Sequence, residues 1–246
     1  MLLPIDADTA FPVGPDGEPL LIDDCLHPTS TRVTLPDGTE AVRLDGVRAA
    51  ELGYPTGDAR SHAGHPLIAR AVALLRAQDT MRFDPADGTA LAWDPSGALA
   101  SGASGRPVFP RIDPSVIGVV QSADGERILL GENSHRPGYF TCIAGYVEPG
   151  ETIEDAWARE VYEETGRRVE DISYVGSQPW ALTGALMLGF ASTTRDIEPH
   201  GPTDGELRQI IWASREELAG LTLAREGTIA RRLIDRWARG EFEGGN

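Results

Sequence analysis

The stretch that decides the fold is Gly145-Tyr-Val-Glu-Pro-Gly-Glu151-Thr-Ile-Glu-Asp-Ala-Trp-Ala-Arg159-Glu160-Val161-Tyr-Glu163-Glu164-Thr-Gly166. Its second half predicts a helix over 153–165. Thr152 suits the N-cap, with Asp155 three residues on, and Glu154 and Asp155 complement the positive end of the helix dipole. Gly166 stops the helix. At 100° per residue from Ile153, Trp157, Val161 and Ala156 fall at about 40°, 80° and 300° and define a buried arc. Glu160 and Glu164, at about 340° and 20°, fall in the middle of it. Glu163 and Glu164 also occupy the last turn, where the dipole disfavours negative charge. Burying uncompensated carboxylates costs several kcal/mol each. Arg159 is placed to pair with Glu163 four residues on, but one Arg cannot satisfy three carboxylates. Oxygen ligands at i and i+4 are what a hard divalent ion such as Mg²⁺ or Mn²⁺ prefers. A plain surface helix with an Arg159–Glu163 ion pair would explain the helix alone. Gly145 and Glu151 just upstream tip the reading toward a site.

Outward from this helix, Val116–Val120, a turn at Ala123-Asp-Gly125 and Arg127–Leu130 predict a hairpin. Further strands are predicted at 139–143, 172–177, 185–191 and 208–212, and helices at 214–219 and 227–239. Such a mixture predicts an α/β or α+β domain rather than a plain doubly wound sheet. The first eighty residues read as a separate small module. Thr34–Leu44 resembles two strands around a Pro-Asp-Gly turn, and a helix starts at Pro66, whose missing N–H costs nothing in a first turn. Residues 81–111 are rich in Asp, Gly, Ser and Pro, a composition that fits a linker or a small irregular subdomain alike.

The 246 residues carry 22 basic and 38 acidic side chains, a net charge of −16. An extended nucleic-acid groove is not expected, since each phosphate contact wants a Lys or Arg, and neither is an anionic membrane surface. No apolar run of about 18 residues exists to span a bilayer. Met1–Asp6 has no basic n-region, so no signal peptide and a cytoplasmic location are expected. Cys25 and Cys142 are too few for a disulfide scaffold or a Cys-only zinc site. Cys142 reads as a buried small hydrophobe.

The segment 145–166 resembles the Nudix box: Gly, five residues, Glu, seven residues, then Arg-Glu-apolar-x-Glu-Glu-x-Gly-apolar. Arg167 in the last apolar place is the one departure. The resemblance implies an α/β/α sandwich over 112–246 and a hydrolase of diphosphates linked to another moiety. Ser177-Gln-Pro-Trp180, Leu186–Phe190 and Phe109-Pro-Arg-Ile-Asp-Pro-Ser-Val-Ile117 resemble elements of the NADH pyrophosphatase subfamily. That subfamily implies an N-terminal domain (1–80), a zinc-ribbon segment (81–111) and the Nudix domain. Two departures stand out. Asp84, Asp87, Ser101 and Ser104 occupy the ribbon's four Cys places, so a ribbon-like connector without metal is expected and a structural Zn²⁺ is not. Ala181-Leu-Thr-Gly-Ala185 replaces the subfamily's Pro-Phe-Pro-x-Ser, which holds the dinucleotide.

By this resemblance Glu160, Glu164, Glu206 and the backbone carbonyl of Ala144 are metal ligands, and Glu163 orients water or supports the ligands. Glu164 and Glu163 are the catalytic pair, Glu151 fixes the loop and Arg159 positions the carboxylates, with Gly145 and Gly166 structural. Ser177, Gln178, Pro179, Trp180 and Ala230 contact the substrate. The implied reaction is Mg²⁺- or Mn²⁺-dependent cleavage of NAD(H) to AMP and nicotinamide mononucleotide, extending to NAD-capped RNA ends. The alternatives are another nucleoside diphosphate-X, such as ADP-ribose, or a catalytically silent nucleotide sensor. Members of the family are commonly dimers, so a homodimer stands open.

Overall fold

The computed structural model describes residues 1–24, 29–134 and 137–242, so Cys25 lies outside the described residues. The chain divides into two compact units, one of Met1–Ile112 with Pro179–Ala185, the other of Asp113–Gln178 with Leu186–Asn246.

In the first unit, β1 (Leu2–Ile5), β3 (Thr29–Thr34) and β4 (Glu40–Leu44) form a sheet in the order β1-β4-β3, and β2 (Ala10–Pro12) pairs with β5 (Thr56–Asp58). The Pro-Asp-Gly turn is present, with Gly38 N–H bonded to the Leu35 carbonyl, but the strand before it ends at Thr34 instead of starting there. Helix α1 (Pro66–Thr80) begins on its proline and buries Ile68, Ala71, Val72, Leu74 and Leu75 against Leu3, Ile5, Phe11 and Val33. Ala181, from the returning segment, joins this core.

The connector carries the two-residue ribbon β6 (Ala92–Trp93) and β7 (Ala100–Ser101). Asp84 is 1% exposed. It accepts the Ser104 hydroxyl at 2.5 Å and the Ala86 amide at 2.8 Å, and these bonds hold its carboxyl below the usual range. Asp87 accepts both the amide and the hydroxyl of Thr89. Two of the ribbon's four Cys places are thus joined by a hydrogen bond.

The second unit is built on a sheet of seven strands: β8 (Asp113–Ser122), β9 (Arg127–Asn133), β10 (Phe140–Thr141), β11 (Ile143–Tyr146), β12 (Glu170–Trp180), β13 (Ala185–Thr194) and β14 (Leu207–Ser214). β8 divides its edge, pairing Ser115–Gly118 with β11 and Val120–Gln121 with β9. Side chains alternate across a strand, so neighbouring residues feed opposite faces. Val116, Val120, Leu129 and Ile143 meet α2 (Ile153–Thr165) through Ala156, Trp157 and Val161. Ile117, Val119, Ile128 and Leu130 meet α3 (Ile229–Ala238) through Ile229, Leu233, Ile234 and Trp237 on the other face. That is the α/β/α sandwich expected of this region.

The helix expected at 214–219 is a single 3-10 turn, Glu217–Gly220. Ser214 stays in β14, paired with Arg127, and the Glu217 carboxylate caps its amide at 2.8 Å. One apolar anchor, Leu218, cannot extend the turn before Leu221 returns to extended backbone. The strand expected at 139–143 is two short pieces, β10 on β9 and β11 on β8.

Candidate metal and diphosphate site

Helix α2 is capped as its sequence dictates: the Thr152 hydroxyl accepts the Asp155 amide at 3.1 Å and Gly166 takes φ +69°. The helix delivers Glu160 and Glu164 to its buried face. The Glu160 side chain is 12% exposed and Glu164 4%. Glu160 lies over Gly145 of β11, where a Cβ would overlap its carboxylate, so any larger residue there displaces the Glu160 side chain. The Ser115 hydroxyl holds the Gly145 carbonyl at 2.7 Å and fixes the strand, next to the half-buried Ala144.

Arg159 organises the acids around it. Its guanidinium grips Glu151 through two bonds, at 2.6 and 2.9 Å, and donates at 2.9 Å to Glu160, to Glu163 and to the Tyr146 carbonyl. The Glu148 amide also donates to Glu151, so the loop into α2 is closed on this arginine. Arg159 drives the Glu151 carboxyl down to about 2, and its three carboxylate partners hold its own proton more tightly. Arg159 thus serves Glu151, Glu160 and Glu163, and of the three helix carboxylates it leaves Glu164 unsatisfied, as expected.

Glu164 is the carboxylate left over. Burial, and then the charges of Glu160, Asp204 and Glu206, push its carboxyl up to about 8. Burial also raises Glu160, against the pull of Arg159. Asp204 and Glu206 lie on the exposed segment before β14. The Asp204 amide bonds to the Glu163 carbonyl at 2.9 Å, and its carboxylate accepts the Glu206 amide at 3.0 Å, shaping the turn that carries Glu206. Asp204 lies outside the set that the motif resemblance implies, although an Asp-Gly turn directly before a strand is the signal for it. Gly166 fits this segment too, because a Cβ there would overlap the Gly201 carbonyl.

Arg167, in the apolar place, is 6% exposed. It donates to the carbonyls of Thr165, Asp196 and Ile197 at 2.7–3.2 Å, and its guanidinium lies 5.7 Å from the Trp212 ring centre. Backbone acceptors replace the apolar neighbours that the motif asks for.

Among the described residues, no three His, Cys, Asp or Glu side chains stand close enough together to hold a metal ion by themselves. The donors nonetheless suit a hard divalent cation, which keeps several waters and is completed by substrate phosphates. They include two carboxylates one helical turn apart, and among the described residues no ion pair to the buried one, Glu164, is found.

The expected substrate contacts are divided between the units. Ser177 is exposed and Gln178 buried in the second unit. Pro179 and Trp180 belong to the first, where the Arg60 guanidinium lies 5.5 Å from the Trp180 ring centre. The segment after Trp180 closes into a turn, with the Gly184 amide on the Trp180 carbonyl at 3.0 Å. Ala230 is buried in the first turn of α3.

A family model, the NUDIX domain, matches residues 111–237. The chain belongs to the Nudix family. Curated relatives include a "NAD-capped RNA hydrolase NudC" of Mycobacterium bovis, 35% identical over 70% of this chain and 60% of its own length. A protein of the same name from Photobacterium profundum is 39% identical over 69% of this chain and 62% of its own. "NAD-capped RNA hydrolase NUDT12" of Macaca fascicularis is 40% identical over 53% of this chain and 30% of its own. The chain thus spans less than two thirds of the length of these relatives. Among the described residues, no helix of this Nudix chain is long and apolar enough to cross a membrane.

Proposed function

We propose that the chain hydrolyses the diphosphate bond of NAD(H)-type dinucleotides, releasing AMP and nicotinamide mononucleotide, and that an NAD-capped RNA end is a further substrate. The observation that carries this reading is Glu164: a carboxylate buried among like charges, with its proton held up to about 8, on the helix of a Nudix box. A pure binding module has no need of such a group, which speaks against a silent sensor. The relatives named as NAD-capped RNA hydrolases support the substrate class.

Glu160, Glu164, Glu206 and the carbonyl of Ala144 would hold Mg²⁺ or Mn²⁺. Such an ion would supply positive charge to the diphosphate and would lower the pKa of the attacking water. Water attacks one phosphorus and gives up a proton to solvent, the bridging P–O bond breaks, and the leaving phosphate carries away its electron pair. Glu163, on the rim of the acidic group and 48% exposed, orients that water while Arg159 holds its other oxygen. Glu151 and Arg159 fix the loop, and Gly145 gives Glu160 its room. Ser177, Pro179, Trp180 and Ala230 serve the substrate. The net charge of −16 restricts RNA contact to the capped end.

A second reading, hydrolysis of another nucleoside diphosphate-X such as ADP-ribose, is favoured by the closed turn at 181–184, which lacks the subfamily's aromatic and prolines. Chromatography of products from NAD⁺, NADH and ADP-ribose with Mg²⁺ or Mn²⁺ decides between them. AMP and nicotinamide mononucleotide from NAD(H) are expected. Faster turnover of ADP-ribose would favour the second reading, and no AMP from any of the three would sink both.

A further inference from the structure

The amide of Gln178 faces a backbone partner on each side. The side chain is 3% exposed, at the point where the chain leaves the second unit. Its Oε1 accepts the Ile229 amide at 2.6 Å, and its Nε2 donates to the Gly227 carbonyl at 2.8 Å. These two partners flank Thr228, the N-cap of α3, whose own hydroxyl accepts the Arg231 amide at 3.3 Å. The first amides of a helix have no partner within it, and that of Ile229 is buried with the residue. Gly227, at φ +82°, turns the chain so that carbonyl and amide meet the same side chain.

Two further bonds brace the same turn of α3. Arg232 Nη2 donates to the Ser177 carbonyl at 3.3 Å, and the Cys142 thiol, two residues before Ala144, donates to the Ala230 carbonyl at 3.6 Å. The start of α3 is therefore tied to the end of β12 and to the residue just before β11, the strand that carries Ala144. Glu160 and Glu164 take no part in these bonds.

We infer that Gln178 is a positioning residue: its amide clasps the first turn of α3 and so sets Ala230, rather than reaching the substrate itself. The inference rests on the proposed function for its kinetic consequence, though the clasp can be tested without it.

Gln178→Met keeps the length of the side chain and removes both bonds, while Gln178→Glu keeps the acceptor and loses the donor. In ligand-free protein, hydrogen exchange should show the Ile229 amide losing protection by about tenfold or more in Gln178→Met, and less in Gln178→Glu. KM for NAD⁺ should rise about tenfold in Gln178→Met with kcat within about threefold. Mn²⁺ affinity without substrate should stay within about twofold. A raised KM with unchanged Ile229 protection would make Gln178 a direct substrate contact and overturn the inference. Parallel loss of kcat and Mn²⁺ affinity would overturn it as well, since that marks general damage. If Gln178→Met fails to fold, Gln178→Glu carries the same readouts. If wild-type protein cleaves no dinucleotide, the proposed function fails while the exchange measurement still judges the clasp.

Discussion

Glu164→Gln should make the metal-free protein more stable and the metal-loaded protein inactive. The side chain is 4% exposed, and burial with the charges of Glu160, Asp204 and Glu206 lifts its carboxyl from an ordinary 4.5 to about 8. Below pH 4.5 the group is protonated whether the chain is folded or not, and it has no effect on the pH dependence. Between 4.5 and 8 the unfolded chain gives up its proton while the folded one keeps it, so the metal-free protein loses stability as pH rises through this window. Each unit is worth about 1.4 kcal/mol, and from 4.5 to 7.5 the loss approaches about 4 kcal/mol. A neutral amide of the same shape escapes it. A divalent cation held by Glu164, as proposed, should reverse the sign for the wild type, because it would bind the ionised form and release the proton.

The assay is urea unfolding of wild type and Glu164→Gln at pH 5.5 and 7.5, with EDTA and with Mn²⁺. In EDTA the variant should exceed the wild type by a few kcal/mol at pH 7.5 and by clearly less at pH 5.5. Mn²⁺ should stabilise only the wild type, and dinucleotide cleavage should fall by about a thousandfold or more in the variant. Equal metal-free stabilities with equal pH slopes would refute the electrostatic account of Glu164. Near-wild-type turnover would refute its place in the metal site.

Three further substitutions probe the surroundings of this helix and the connector. Gly145→Ala places a methyl group in the Glu160 carboxylate, the movable end of a flexible side chain, so the fold should survive while Mn²⁺ affinity and kcat/KM fall by about a hundredfold; an unchanged Mn²⁺ titration would refute it. Arg167→Met restores an apolar residue to the motif but leaves the Thr165 and Asp196 carbonyls without their donor, and should lower unfolding free energy by about 2 kcal/mol. A variant as stable as wild type would show that the buried guanidinium is replaceable by packing. Asp84→Ala breaks the bond to Ser104 and should lower the melting temperature, whereas EDTA should leave the melting of the connector unchanged. Stoichiometric zinc by metal analysis would contradict the second half of that expectation.

The helix at the centre of the site was legible almost residue by residue because its determinants are local. A hydroxyl before the first turn, a glycine after the last and a wheel of apolar side chains fix both its limits and its buried face, and they place Glu160 and Glu164 without any knowledge of what lies opposite. The segment expected to be a helix at 214–219 is only a 3-10 turn because the strand before it continues to Ser214 through pairing with Arg127, a partner nearly ninety residues away that no local pattern records. The role of Arg159 was read in part: its spacing to Glu163 follows from the helix, but its paired hydrogen bonds to Glu151 depend on the path of a loop. The ends of β12 show the same division. Ser177–Trp180 stands out in the sequence as one motif, yet its two halves go to different compact units, and Gln178 turns inward to the start of α3. A motif records which residues a site needs together; which of them touches the ligand and which holds the one that does is settled by long-range hydrogen bonds, such as those Gln178 makes across about fifty residues of chain.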